Sequence, residues 1–177
     1  LSRSEITEML TAECARAAFT YRATDGALLR KVAASSNAPQ GAVAGTRNSN
    51  GYLRTRVEGR LYYNHQIVWL MHTGEWPRTD VDHINGVRTD NRIENLRAAT
   101  RRENAANSLY RKAGKSLPKG VHLCSITGRY RAAIQRGKQK RCLGRFDCLE
   151  QAAAAYRRAS IEADGEFSPF VGRGGPS

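Results

Sequence analysis

The 177-residue chain lacks any apolar run approaching the roughly 20 residues needed to span a bilayer, so no membrane partner is expected. Its first residues, LSRSEITEMLTAECARAAF, carry neither the basic start nor the continuous apolar block of a secretory leader. Leu1 stands where an initiating Met is expected, which reads as a fragment or an unusual start codon. The expected compartment is a cytoplasm. Cysteine is scarce and scattered: Cys14, Cys124, Cys142 and Cys148 form no C-x-x-C pair. That spacing argues against a structural zinc and against a disulfide framework, leaving reduced, partly buried thiols as the expectation. Acidic residues are few, 16 Asp and Glu against 29 Lys and Arg, for a net charge of +13. An apolar fraction of 40% and an aromatic fraction of 7% suit a globular protein with one ordinary domain or two small ones.

The positive charge is concentrated. Residues 1–50 carry six basic and four acidic side chains, and residues 51–107 carry nine and seven. Residues 108–177 carry fourteen and five, a balance of +9. Such a field in the last third is what a phosphate-backbone binder requires.

Hydrophobic spacing divides the chain. Ile6, Met9, Leu10 and Ala17 predict a short helix within residues 5–19. Two strand-like runs, Phe19 to Arg22 and Ala27 to Val32, flank a turn at Asp25-Gly26, and Ser35 to Gly41 reads as a loop. YLRTRVEGRLYYN alternates apolar and basic residues around Glu58-Gly59, which predicts a hairpin. A helix from His65 to Thr73 follows, stopped by Gly74 and Pro77. Trp69 and Trp76 look like core anchors, and His72 like a surface or packing residue. Beyond a Lys-, Arg-, Gly- and Ser-rich linker lie three strand candidates: Gly120 to Ile126, Arg129 to Arg136 and Lys138 to Phe146. Asp147 with Glu150 predicts a capping box for a helix from Cys148 to about Ala163, with Leu149, Ala152, Ala153, Tyr156 and Ala163 as its apolar stripe.

Chemistry concentrates in VDHINGVRTDNRIENLRAATRREN, residues 81–104. Asn95 follows His83 by twelve residues, and Asn104 follows by nine more. A strand at Val81 to Ile84, a bend at Asn85-Gly86, a strand at Leu96 to Ala99 and a helix opened by Thr100 and Glu103 are expected to bring Asp82, His83 and Asn104 together around one ion. An imidazole titrating near neutrality can take a proton from water. Asp82 and Asn104 offer the hard oxygen donors that Mg²⁺ or Mn²⁺ prefers. An isolated Asp-His pair is ordinarily a turn feature, and single asparagines cap turns or face solvent. The ordered set favours a site that cuts phosphodiesters.

From about Gly51 to Asn107 the chain resembles the HNH endonucleases of the phage and intron-borne homing type, through its Asp-His, Asn-Gly, Asp-Asn-Arg and Asn-Leu elements in order. The resemblance implies a ββα-metal fold, with His83 as general base, Asp82 and Asn104 as ligands of one divalent ion, and Asn95 holding the hairpin and orienting His83. His65 matches a recurring family histidine. The segment KGVHLCSITGRYRAAIQRGKQKRCLGRFDCLEQAAAAYRRASIEADGEF resembles the plant Apetala-two/ethylene-response DNA-binding domain, a three-stranded sheet on one helix that lies in the major groove. That pattern implies DNA contact by Lys119, His122, Arg131, Gln135 and Lys140. The pleat independently puts Arg129, Arg131, Ala133 and Gln135 on one face, opposite Tyr130, Ala132 and Ile134. Cys124, Ala133 and Cys142 replace the Arg or Trp of plant members, which favours backbone contact over base reading. His122 is evenly balanced between sheet packing and DNA contact.

The expected fold class is α+β. Residues 1–50 would be accessory, 51–110 the nuclease domain, 111–118 a linker, 119–170 the DNA-binding domain and 171–177 a tail. Double-stranded DNA is the expected partner, in a bacterial or phage-infected cell, with no obligate protein partner and a monomer or weak dimer. Two rivals remain: a non-catalytic DNA-binding protein on a nuclease scaffold, and an RNA-binding module.

Overall fold

The computed structural model describes residues 10–107 and 117–171. It is a mixed α+β structure that divides into two compact units, Leu1–Thr100 and Arg101–Ser177. Ile6 and Met9, most of the expected linker and all but the first residue of the expected tail lie outside the described residues.

In the first unit, helix α1 (Ala12–Ala18) is capped by Thr11, whose hydroxyl accepts from the Cys14 amide at 3.1 Å. Strands β1 (Phe19–Arg22) and β2 (Ala27–Arg30) form an antiparallel hairpin, and β3 (Val43–Ala44) adds to β2. A second sheet pairs β4 (Thr46–Arg47), β5 (Leu53–Val57) and β6 (Arg60–Tyr63). Its hairpin turns through Glu58 at φ 49° and Gly59 at φ 81°, the left-handed pair a two-residue connection demands. Helix α2 (Asn64–Thr73) ends at Gly74, whose amide donates back to Leu70 O at 2.9 Å. Strands β7 (Asp80–His83) and β8 (Leu96–Ala99) pair antiparallel. The core joins Leu10, Phe19 and Leu28 to Ile67, Val68 and Leu70 of α2 and to Val81 and Leu96 of the β7–β8 pair. Trp69 and Trp76 are partly buried against it, and Trp76 donates from Nε1 to Leu10 O at 2.8 Å. His72 is bonded through Nδ1 to Val68 O at 2.8 Å.

The second unit opens with α3 (Arg101–Ala106). It continues with β9 (Val121–Leu123), β10 (Tyr130–Arg136) and β11 (Gln139–Phe146), an antiparallel sheet with β10 central, followed by α4 (Leu149–Asp164). Val121, Ala132 and Ile134 of the sheet pack against Ala152, Ala155, Tyr156 and Ala159 of α4. The alanines permit close approach. Gly120 sits so near Tyr156 that a Cβ there would lie 2.1 Å from its ring.

Four sequence expectations are corrected. The thiols are not all partly buried: Cys14, Cys124 and Cys142 are exposed and Cys148 is half-buried. β9 stops at Leu123 because the chain turns at once, Gly128 donating to Cys124 O at 2.8 Å. The Asp147 capping box does not form: Cys148 is the N-cap without a side-chain bond, and Asp147 instead pairs with Arg129 at 2.7 Å. Ala163 is exposed and Ala153 only half-buried, the buried face of α4 running through Ala152, Ala155, Tyr156, Ala159 and Ser160.

Candidate active site and basic surfaces

Asp82 and His83 are consecutive on β7, so the pleat turns their side chains to opposite faces of the β7–β8 pair. The register sets Asp82 across from Arg97 and His83 across from Leu96. Asp82 is 5% exposed, and Arg97 donates from Nε and Nη2 to its Oδ2 at 3.0 and 2.9 Å. Breaking such a buried pair typically costs about 3–5 kcal/mol, because one charge is left unpaired. The carboxylate is thereby fixed in place.

His83 is 3% exposed, and its Nε2 lies 3.0 Å from Asn91 Oδ1. A carboxamide oxygen only accepts, so Nε2 carries the ring proton and the lone pair falls on Nδ1. Burial pulls the His83 pKa below the ordinary histidine value, against the Asn91 bond and the Asp82 and Asp90 carboxylates, which raise it. The ring is therefore neutral at pH 7, the state a general base needs. Asn91 is itself 1% exposed, so no solvent is at hand to replace it.

The loop between β7 and β8 is tied from within. Asn95 Oδ1 accepts from the Asn85 amide at 2.9 Å, and its Nδ2 donates to Asp90 O at 2.8 Å. Asn85 Nδ2 donates to Asp90 Oδ2 at 2.7 Å, and Arg92 donates to both Asp90 oxygens at 2.9 and 2.8 Å. The Arg92 guanidinium is the main reason the Asp90 carboxyl is held down to about 2. The side chain of Asn95 thus closes the loop, while the bond to the His83 ring comes from Asn91, which the sequence reading missed. In sequence, Asn91 is the middle residue of the Asp-Asn-Arg element, but its spacing gives it no link to His83.

An aromatic group surrounds His83. The His65 ring, on the first turn of α2, stands edge-on to it with centroids 5.0 Å apart. Tyr63 stacks on His65 at 5.4 Å, Tyr52 lies 5.3 Å from His65 and 5.8 Å from His83, and Arg88 sits 5.0 Å over Tyr52. His65 is 6% exposed, and its Nδ1 has no hydrogen-bond partner among the described residues. Burial, reinforced by His83, lowers its pKa to about 3. Asn104 is on α3, in the second unit, and is half-buried.

The donor types suit a hard divalent cation. A carboxylate and a carboxamide leave most of the coordination sphere to water and phosphate, as Mg²⁺ tolerates. Among the described residues no group of three or more His, Cys, Asp or Glu side chains is placed to hold a metal.

In the second unit, Lys119, His122, Arg131, Gln135 and Lys140 border a hollow of about 340 Å³. His122 is opposite Arg131 and Gln135 opposite Lys140, so these four share one face of the sheet. Arg129 borders a neighbouring hollow of about 260 Å³ and is tied to Asp147, while Lys119 Nζ donates to Ala105 O at 2.8 Å. Arg145, opposite Arg131, belongs to the same face. The pairing register reveals it, and spacing within one strand does not. A third hollow, of about 360 Å³ in the first unit, is bordered by Arg30, Arg47, Arg54 and Arg56. The alternation in YLRTR already puts Arg54 and Arg56 on one side of β5.

Comparison with known proteins gives one family match. Residues 62–106 fit the model described as HNH endonuclease, so the chain carries an HNH endonuclease domain there, from the end of β6 to the end of α3. A match over that segment points to nuclease activity on DNA, for which the family typically uses a divalent metal. No curated protein and no solved structure matches the chain.

Proposed function

We propose that this protein is a metal-dependent endonuclease that hydrolyses phosphodiester bonds in double-stranded DNA. Its setting would be a phage or mobile element acting as a homing endonuclease in the cytoplasm of a bacterial or phage-infected cell. The observation that carries the reading is the buried, neutral His83, its Nε2–H committed to Asn91, inside the segment that fits the HNH family. Nδ1 of His83 takes the proton of the attacking water. Asp82 and Asn104 are the residues that would hold one Mg²⁺ or Mn²⁺, and Asn95 keeps the loop in register. When bound, the ion supplies positive charge for the pentavalent phosphorus and the departing 3′ oxygen. Products would carry 5′ phosphate and 3′ hydroxyl ends.

Residues 51–110 would form the nuclease domain and residues 119–170 the DNA-binding domain, with His122, Arg131, Gln135, Lys140 and Arg145 facing the duplex and Lys119 and Arg129 at its margins. A two-stranded or three-stranded ribbon fits the major groove. The arginine-bordered hollow on the first unit adds backbone contacts. Plasmid incubated with protein and Mg²⁺ is expected to be nicked or broken, and EDTA to abolish the cuts. Retained binding without metal-dependent cuts would support the rival, a DNA-binding protein on a nuclease scaffold. The Asp82–Arg97 pair favours that rival, since the carboxylate already has a cationic partner.

Affinity should fall steeply with salt, the log–log slope steepening by about 0.9 per phosphate neutralised. Replacing Arg131, Lys140 and Arg145 together by alanine is expected to flatten that slope by about 3. A slope equal to the parent's, from filter binding at several salt concentrations, would remove the sheet face from the interface.

A further inference from the structure

We infer that the β1–β2 hairpin is a working part of the hydrolytic site, with Tyr21 and Gly26 as positioning residues that hold Asn91 and, through it, the His83 ring. The inference rests on the nuclease reading and extends it beyond the HNH segment, which begins at residue 62.

Two contacts from the hairpin close on three consecutive loop residues. Gly26, at the turn with φ +73°, lies flush against the Asn91–Arg92 peptide: a Cβ there would stand 2.3 Å from both Asn91 C and Arg92 N, and 2.7 Å from Asn91 O. Only glycine allows that approach, and these neighbours are backbone atoms that cannot swing aside. Tyr21 Oη accepts a hydrogen bond from the Ile93 amide at 2.9 Å. Between them, Gly26 and Tyr21 contact the backbone at each of residues 91–93, and Asn91 Oδ1 links that stretch to Nε2 of His83.

The gripping residues are themselves held. Arg22 pairs with Asp25 at 2.6 Å, Asp25 Oδ1 accepts from the Ala27 amide at 3.1 Å, and Gly26 donates to Arg22 O at 2.9 Å, which prebuilds the turn. The Tyr21 ring packs edge-on to His72, with centroids 4.5 Å apart, and His72 is anchored to α2 through Val68 O. The grip therefore falls on the stretch bearing the His83 partner, and its chemical consequence is the tautomer. With Asn91 in place, Nε2 keeps the proton and Nδ1 keeps the lone pair. With Asn91 displaced, both tautomers populate and Nδ1 holds the lone pair only part of the time.

The test uses the full chain with Gly26→Ala, Tyr21→Phe and Gly41→Ala. Gly41 has φ +81° and open space around it, so its variant carries the same backbone strain without the clash. Cleavage of plasmid DNA gives kcat and KM, and imidazole ¹⁵N shifts of His83 report the tautomer. Gly26→Ala is expected to lower kcat on the order of 10²-fold, the cost of misplacing a catalytic group by about 1 Å. KM and DNA affinity should stay at the parent's values, and the ¹⁵N spectrum should change from one tautomer to a mixture. Tyr21→Phe should do the same to a lesser degree, and Gly41→Ala should leave both readouts unchanged. Parent-like kcat and a single tautomer in folded Gly26→Ala and Tyr21→Phe would overturn the inference, and so would an equal effect from Gly41→Ala. If Gly26→Ala does not fold, Tyr21→Phe decides. A parent that cuts no DNA sinks the nuclease reading alone, because the tautomer spectrum still judges the hairpin's hold on His83.

Discussion

His83→Ala is expected to lower DNA cleavage by about 10²–10⁴-fold, the usual contribution of a positioned general base, while leaving DNA affinity intact. The size follows from what is removed. The Asn91 bond puts the ring proton on Nε2 and the lone pair on Nδ1, and burial favours the neutral ring. Affinity should persist because the basic sheet face is in the other compact unit. Single-turnover cleavage with saturating protein isolates the chemical step from binding. Asn91→Ala should show a partial loss, since it frees the tautomer without deleting the imidazole. Parent-like cleavage by His83→Ala would remove that residue from the role, whatever its neighbours do.

The second large effect is on stability. His65 is folded with a pKa of about 3, whereas an unfolded histidine titrates near about 6.5. Above the unfolded value both states hold the ring neutral, and the full stability is present. As pH falls below about 6.5 the unfolded chain binds a proton that the folded chain refuses, and stability drops until about pH 3. One such group changes the unfolding free energy by about 1.4 kcal/mol per pH unit across that window. His83, also shifted downward, acts in the same sense. Asp90, held at about 2 by Arg92, adds its own loss only below about pH 4, as pH approaches its folded value. Urea unfolding from pH 7 to pH 5 should therefore show a decline that His65→Phe, which cannot titrate, makes shallower. Matching slopes in the two proteins would mean that His65 is not held neutral by burial.

Much of the fold is legible in the residues. Asn85-Gly86 marks the bend after β7, Gly74 and Pro77 close α2, and the alternation from Arg129 to Gln135 by itself places apolar and basic faces on β10. What escaped depends on distance in space. Asn91 is legible as part of the Asp-Asn-Arg element but not as the partner of His83, and it is buried where Gly26, 65 positions earlier, lets another piece of backbone come against it. Arg97 as the partner of Asp82 needs the β7–β8 register, which the loop bonds of Asn95 set and local spacing does not. The Asp147 capping box failed because the guanidinium of Arg129, in the connection just before β10, competes for the same carboxylate. Local propensity is a weak prior wherever a charged partner from elsewhere is within reach.

Helix α3 has a practical consequence. It is six residues long, too short to persist by itself in water, and its final carbonyls are gripped by Lys119. It also packs beside the turn at Gly165–Phe167 that follows α4. Excising residues 62–106 as a portable cassette would cut the helix away from both supports. A transplant meant to keep Asn104 on a formed helix must bring the downstream sheet along.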